Sequence, residues 1–546
     1  MGARFASIIG TVLVAYGLLF FNLYNKQVLN GATYLAQAES QANAANFEAS
    51  RRGTIYLTDK DGARTAFAIN KNFKQVYVTP KAVGDTQETA HALSLALNIP
   101  AEDIIKKISA PSATFVSFVK KASEETVSKI LDLNLPGVYV NEAPDRFYPF
   151  NTLAAQTIGF VGPDSKQLSG ETGRYGLERQ YNDLLSGSSG GGPDLTGADL
   201  TLTIDPNIQE QVESSLDKLI SDNNATGGSV IVADPQTGKI LAAASAPTYD
   251  PNIYSSFGLK TFLNPITEHL YEPGSVFKVF TMSAGIDSGR LTPDTTYYDF
   301  GSVTINGKKI TNYDLKTHGA YGTATMTNVI EHSINTGAVF AEAKTGNDIF
   351  TSYMKKFGLG EKTGVDLPGE LAGNLQRLNP KSPKVAFATA SYGQGVAVTP
   401  LELINAMAAI ANGGTLMRPF LNSALSPEPI RKVMSDKTAG QVTGMMVSAV
   451  DRAGVAKIEG YSIAGKTGTA FIPDLVHGGY TDKVIDSFVG FGPTSRPRFI
   501  VLVKVDTLPS SALAALSVVP AFKDVAQYLI NYYNIPPDRV PTASAN

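Results

Sequence analysis

The hydrophobic pattern divides this chain into three stretches. From Phe5 to Tyr24 it is almost wholly apolar and carries no charge. Twenty helical residues at about 1.5 Å each reach about 30 Å, the thickness of a bilayer's hydrocarbon core. Residues 5–24 are therefore expected to be a transmembrane anchor. A cleavable signal has a shorter apolar stretch, and the one small-x-small candidate, Ala36-Gln37-Ala38, lies well beyond this one. Residues 25–50 are Ala/Gln/Asn-rich and read as a helix leaving the membrane. Arg51 to Asn70 alternates with strand period around an Asp61-Gly62 hairpin signal. Thr86–Leu97 and Ser123–Leu133 show helical periodicity opened by capping residue types. Val138 to Gly187 returns to strand and turn. A Gly/Ser-rich junction, Ser186 to Gly192, closes this first module, bounded at 25–190.

Beyond the junction the pattern predicts a strand at Leu200–Ile204 and an amphipathic helix at Ile208–Ile220. Two strands, Gly228–Asp234 and Lys239–Ala244, follow around the turn Pro235-Gln236-Thr237-Gly238. Helices run through residue 450. Three strands, Tyr461–Thr469, Asp486–Phe491 and Phe499–Val505, and a last helix over about 519–532 complete the stretch. Strands at both ends with helices between them define an α+β domain over 200–534. Its sheet is mainly antiparallel, assembled from both ends and flanked by helices. Residues 535–546 are expected to be a disordered tail.

At 546 residues the chain holds two folded units plus attachments. The net charge of −3, with no basic block, argues against a nucleic-acid partner. The absence of cysteine excludes thiolate chemistry, and five scattered histidines offer no metal spacing. No metal and no cofactor is expected.

Candidate chemistry begins at Glu272-Pro273-Gly274-Ser275-Val276-Phe277-Lys278. Pro-Gly makes a turn, Ser275 opens a helix, and Lys278 lies one turn later on the same face. A serine hydroxyl needs a neighbouring base before it is a useful nucleophile. The first-turn N–H groups, that of Ser275 included, are free to face an oxyanion. Ser117 and Lys120 repeat the spacing without the Pro-Gly turn and read as ordinary surface residues. Ser333-Ile334-Asn335 offers a hydroxyl to relay a proton and an amide to hold both the lysine and a substrate carbonyl. Both side chains serve one site only from a turn. Ser221-Asp222-Asn223 has the same spacing but lies in a polar linker, and His332 reads as a structural neighbour. Lys-Thr-Gly occurs three times. The copy at Lys344 ends a helical pattern and the copy at Lys362 lies in a turn. Only Lys466-Thr467-Gly468-Thr469 continues a strand. There Lys466 and Gly468 share a side, so a cation meets a carboxylate and an extended peptide lies close against the strand. The N–H of Thr469 is a second oxyanion donor.

Ser-x-x-Lys, a Ser-x-Asn triplet and Lys-Thr-Gly in this order resemble the signature of the penicillin-binding superfamily. Further segments narrow the class. Arg51-Arg52-Gly53-Thr54-Ile55, Arg146-Phe147-Tyr148-Pro149, Gly159-Phe160-Val161-Gly162 and Tyr175-Gly176-Leu177-Glu178-Arg179 are similar to the N-terminal dimerisation or pedestal module of class B penicillin-binding proteins. Thr237-Gly238-Lys239, Tyr249-Asp250-Pro251-Asn252 and Ser391-Tyr392-Gly393-Gln394-Gly395 resemble their transpeptidase domain. Phe471 stands where many relatives carry a polar residue. The resemblance implies a D,D-transpeptidase that cross-links peptidoglycan stem peptides ending in D-Ala-D-Ala and is acylated by β-lactams. It implies Ser275 as nucleophile, Lys278 as base, Ser333 and Asn335 as the second motif, and Lys466, Thr467, Gly468 and Thr469 at the substrate. It also implies a single-pass cell-membrane protein with residues 1–4 in the cytoplasm and the catalytic domain outside. A membrane-embedded glycan polymerase is the expected partner, and a homodimer is open to the first module. No glycosyltransferase module is expected. A carboxypeptidase or β-lactamase would need a further base to activate water, for which Glu370 is the nearest residue by sequence. A β-lactam sensor or division scaffold would carry a cytoplasmic effector or a multi-span anchor. Glu272 ahead of the nucleophile turn favours a septal role over a side-wall one.

Overall fold

The computed structural model describes residues 2–25, 52–110, 115–163, 171–187, 196–474 and 476–539. The helix expected at 25–50 and part of the Gly/Ser junction lie outside these residues. Gly2–Tyr24 is a 23-residue helix with no acidic residue in its first turn and no basic residue in its last. Among the described residues, no helix is long and apolar enough to cross a membrane.

The chain forms two compact units. The first gathers residues 68–147 with 183–199 and the chain before Thr54. In it the Arg64–Val78 strand pairs antiparallel with Val116–Val119 and Val138–Phe147. Helices Thr86–Leu97 and Ala101–Ile108 close Val76, Val78, Leu93, Ile104 and Ile108 into a core. Asp85 and Ser123 cap the helices that follow them by accepting first-turn N–H bonds.

The second unit holds residues 55–67, 148–182 and 200–546. Residues 148–182 make most of their contacts within this unit. A five-stranded antiparallel sheet forms its centre: β1 (Gly227–Ala233), β2 (Ile240–Ala246), β3 (Ala464–Pro473), β4 (Tyr480–Gly492) and β5 (Phe499–Pro509). Their spatial order is β3-β4-β5-β1-β2, so the two N-terminal strands complete a sheet begun by the last three. This is why strand pattern appears at both ends of the domain. Helices Pro206–Asn223 and Val518–Tyr532 bury Ile208, Val212, Leu216, Phe522, Val525 and Leu529 against Val230, Val501 and Val503. Each fully buried aliphatic side chain of this kind contributes about 1.5–3 kcal/mol. The strand expected at Leu200–Ile204 is a two-residue strand, Leu200–Thr201, followed by a single bridge from Leu202 to Asn422.

The expected disordered tail does not begin at 535. Ile535 is buried, Asp538 accepts the Ser462 N–H at 2.7 Å, and Arg539 makes two bonds to Asp451 at 2.8 and 2.9 Å. A bidentate guanidinium–carboxylate pair fixes this segment where its composition alone predicted none.

Candidate active site

Gly274 adopts φ +57°, and the chain enters a 3-10 turn, Gly274–Phe277, that runs on as the helix Lys278–Asp287. A Cβ on Gly274 would lie 2.6 Å from the Thr469 carbonyl oxygen. Glycine is what lets this turn lie against β3. Ser275 and Lys278 share a face, and Lys278 Nζ donates to Ser275 Oγ at 3.0 Å.

Ser333 occupies a bend at φ +56°, a conformation that β-carbon sterics disfavour. The bend aims two of its atoms at one amine: Lys278 Nζ bonds both its carbonyl oxygen and its Oγ, the latter at 3.1 Å. Lys466 Nζ reaches the same Oγ at 3.0 Å. One hydroxyl thus bridges two lysines. Asn335 opens the helix Asn335–Thr345, and its side-chain nitrogen donates to the Thr311 carbonyl at 2.9 Å. Among the described residues no hydrogen bond joins its side chain to Lys278.

β3 is the edge strand of the sheet. Gly468 shares a face with Lys466, and a Cβ there would meet Ser487 Oγ at 2.6 Å and the Pro273 carbonyl at 2.7 Å. Thr467 and Thr469 alternate to the other side, half-buried. Thr469 Oγ1 donates to Asp486 at 2.7 Å, and Ser517 Oγ donates to the other oxygen of that carboxylate at 2.7 Å. Asp486 escaped the sequence reading. Its one signal is a charge within the buried part of β4, residues 484–492.

Both lysines are buried, Lys278 at 0% and Lys466 at 4% exposure. Burial pushes Lys278 well below the ordinary lysine range, and the like charge of Lys466 adds to this while Asp314 opposes it. Burial alone lowers Lys466 to about 7. Glu272, just before the turn, accepts the Gly395 N–H at 2.9 Å and the Tyr480 hydroxyl at 3.0 Å.

The competing copies sit elsewhere. Ser117 lies on the Val116–Val119 strand with Lys120 just past its end, and residues three apart along a strand face opposite ways. Asn223 donates back to the Leu219 carbonyl at the end of its helix. Gly346, at φ +91°, ends the Asn335–Thr345 helix after Lys344. The Lys362 turn is held by Glu370, which accepts from the N–H groups of Thr363 at 2.7 Å and Gly364 at 3.1 Å. His332 ends a short helix and packs against the Tyr321 ring.

A serine oxygen in contact with a buried lysine, beside an open strand edge, defines a serine acyltransferase built on an α+β sheet. The family described as "Penicillin binding protein transpeptidase domain" matches residues 228–527, and "Penicillin-binding Protein dimerisation domain" matches 47–194. Stage V sporulation protein D of Bacillus subtilis (strain 168) is 31% identical over 489 residues, covering 82% of this chain and 73% of that protein. Peptidoglycan D,D-transpeptidase FtsI of Escherichia coli (strain K12) is 28% identical over 572 residues, covering 100% of this chain and 94% of its own. Penicillin Binding Protein 2X from Streptococcus thermophilus shares the fold at a TM-score of 0.69 and 22% identity, over 89% of this chain and 80% of that one. The chain belongs to the class B penicillin-binding proteins, the D,D-transpeptidases that cross-link peptidoglycan. Neither matching family is a glycosyltransferase.

Proposed function

We propose that this chain cross-links stem peptides through an acyl-enzyme at Ser275. Lys278 Nζ takes the Ser275 proton as Oγ bonds to the penultimate D-Ala carbonyl carbon. The developing oxyanion is received by the N–H groups of Ser275 and Thr469, each worth about 3–4 kcal/mol. Ser333 Oγ passes the proton from Lys278 to the departing nitrogen, the C–N bond breaks, and the terminal D-Ala leaves. An amine of a second stem peptide then attacks the ester, and its proton returns to Ser275 along the same route. Lys466 and Thr467 hold the terminal carboxylate, Gly468 admits the peptide backbone, and Asn335 faces a substrate carbonyl. β-Lactams enter by the first half of this reaction.

The observation that carries the reading is the Ser333 hydroxyl shared by Lys278 and Lys466, with Lys278 also on Ser275. A lysine with the reference pKa near 10.4 costs about 4–5 kcal/mol to neutralise at pH 7. Burial of Lys278 acts in this direction, pushing it well below the ordinary lysine range.

The apolar run of residues 5–24 serves as a single-pass anchor, a reading that rests on its length and its lack of charge. Because the substrate lies outside the cytoplasmic membrane, residues 1–4 face the cytoplasm and the catalytic domain faces outward. Residues 25–190 serve as the pedestal, able to meet a second copy or a membrane-embedded glycan polymerase, and 200–534 as the transpeptidase domain.

Fluorescent penicillin tests the assignment. The wild-type chain and Ser117→Ala label covalently, and Ser275→Ala does not. Labelling of folded Ser275→Ala at the wild-type rate overturns it.

A further inference from the structure

Behind Ser333 lies a carboxylate that the reaction above does not use. Asp299 is fully buried, yet it belongs to none of the three motifs. Its Oδ1 accepts the Thr336 hydroxyl at 2.5 Å and the Gly301 N–H at 3.0 Å. Its Oδ2 accepts the Tyr321 N–H at 2.9 Å. The Asn312 amide donates to both oxygens, at 3.1 and 3.0 Å. Asn312 Oδ1 in turn accepts the Thr336 N–H at 3.1 Å and lies 3.1 Å from the Thr336 hydroxyl oxygen, whose proton points to the nearer Asp299, and Tyr297 O–H lies 3.2 Å from the same hydroxyl. The network ties residues 297–321 to Thr336, the residue after Asn335.

Those ties act on a backbone that needs them. Ser333 at φ +56° is a conformation a serine holds only where its surroundings over-determine it. Downstream the segment is fixed by Thr336 through Asp299 and Asn312, and by Asn335 through Thr311, the residue before Asn312. Were Ser333 to relax toward ordinary backbone, its carbonyl and hydroxyl would no longer converge on Lys278 Nζ. Burial pushes the Asp299 carboxyl up, but the bonds from Thr336, Tyr321, Gly301 and Asn312 more than offset this and leave it below its ordinary value. The group is a fixed anion with strong acceptor oxygens, suited to hold hydroxyl and N–H donors in one geometry.

We propose that Asp299, acting through Thr336, is a positioning residue that holds the Ser333 turn where its hydroxyl bridges Lys278 and Lys466. This rests on the roles proposed above for Ser275, Lys278 and Ser333. It assigns to the second motif a support drawn from a preceding stretch of chain, so the Ser-x-Asn triplet is incomplete without Asp299.

The test uses the full chain and compares Asp299→Asn, Thr336→Val and Thr336→Ser with wild type. Three quantities are read: the fraction of protein labelled by excess fluorescent penicillin, the second-order acylation rate, and the pH dependence of that rate. Thr336→Val and Asp299→Asn are expected to label to completion but about 10- to 100-fold more slowly, the scale of a small misplacement at a reacting centre. Thr336→Ser, which keeps the hydroxyl, stays within about threefold of wild type. A loosened turn admits water to Lys278, which faces Lys466 and Asp314 as charged neighbours. Its pKa then rises and the acid limb of the rate moves to higher pH. Should Asp299→Asn fail to fold, Thr336→Val decides alone. A folded Thr336→Val that acylates at the wild-type rate, or one that loses thermal stability with rate and acid limb unmoved, overturns the proposal. Labelling of Ser275→Ala sinks the nucleophile assignment instead, a separate failure.

Discussion

At the scale of single residues, the two lysines work in opposite charge states. Lys278 is useful as a base only when neutral, and Lys466 binds a carboxylate only when charged. Burial lowers both, Lys466 to about 7 and Lys278 well below its ordinary range. The acylation rate of free enzyme is therefore expected to rise with pH as Lys278 loses its proton. It then falls from about neutrality upward as Lys466 loses its own. Lys466→Arg keeps a cation that does not titrate here, so the alkaline limb should vanish while the acid limb stays. Stopped-flow acylation from pH 5 to 10 checks this, and an alkaline limb retained in the Arg variant refutes it. The convergence of Ser275 and Lys278 was legible because helical spacing alone puts them together. The choice among three Lys-Thr-Gly copies was legible from a Gly at a helix end, a turn, and a strand. Asp299 was not legible. Its partners Gly301, Asn312, Tyr321 and Thr336 lie at separations with no period, and no local rule predicts a left-handed Ser333.

At the scale of elements, backbone proximity sets what β3 and the nucleophile turn tolerate. Gly393 sits at φ +81°, and a Cβ there would lie 2.1 Å from the Gly274 carbonyl oxygen. Gly393→Ala is expected to displace the Ser275 turn, slow acylation and cost about 1–3 kcal/mol, a common range for overpacking. Gly440, exposed in the helix Asp436–Ala453, has open space around it. Gly440→Ala should stabilise by about 0.5–1 kcal/mol with acylation unchanged. Thermal melts with penicillin labelling read both, and equal behaviour of the two variants contradicts the argument. Helix Thr86–Leu97 appears with the bounds its caps imply, because Asp85 supplies the bonds that end selection turns on. Strand ends were less legible. The hairpin of β3 and β4 pairs out to Pro473 and Tyr480, a register that alternation within each strand does not specify.

At the scale of the whole molecule, the penicilloyl-enzyme is expected to persist. After acylation the opened ring remains in the site, and hydrolysis needs a water held by a dedicated base. Glu370, the nearest acidic residue weighed from sequence, has both oxygens engaged by Thr363 and Gly364. The adduct should last many minutes and survive a denaturing gel, as a chase of labelled full chain will show; free enzyme regenerated within seconds marks a β-lactamase. The position of β3 at the sheet edge, beside Ser275, carries a further consequence. An open ladder reads an extended backbone and is nearly indifferent to the side chains upon it. A drug that copies that backbone presents the strand with the features the natural peptide presents. Substitutions along β3 that turn the drug away therefore turn the substrate away too. Escape by mutation is left to residues that govern how readily the turn opens and the strand receives its guest, and every such change trades drug evasion against the speed of wall synthesis.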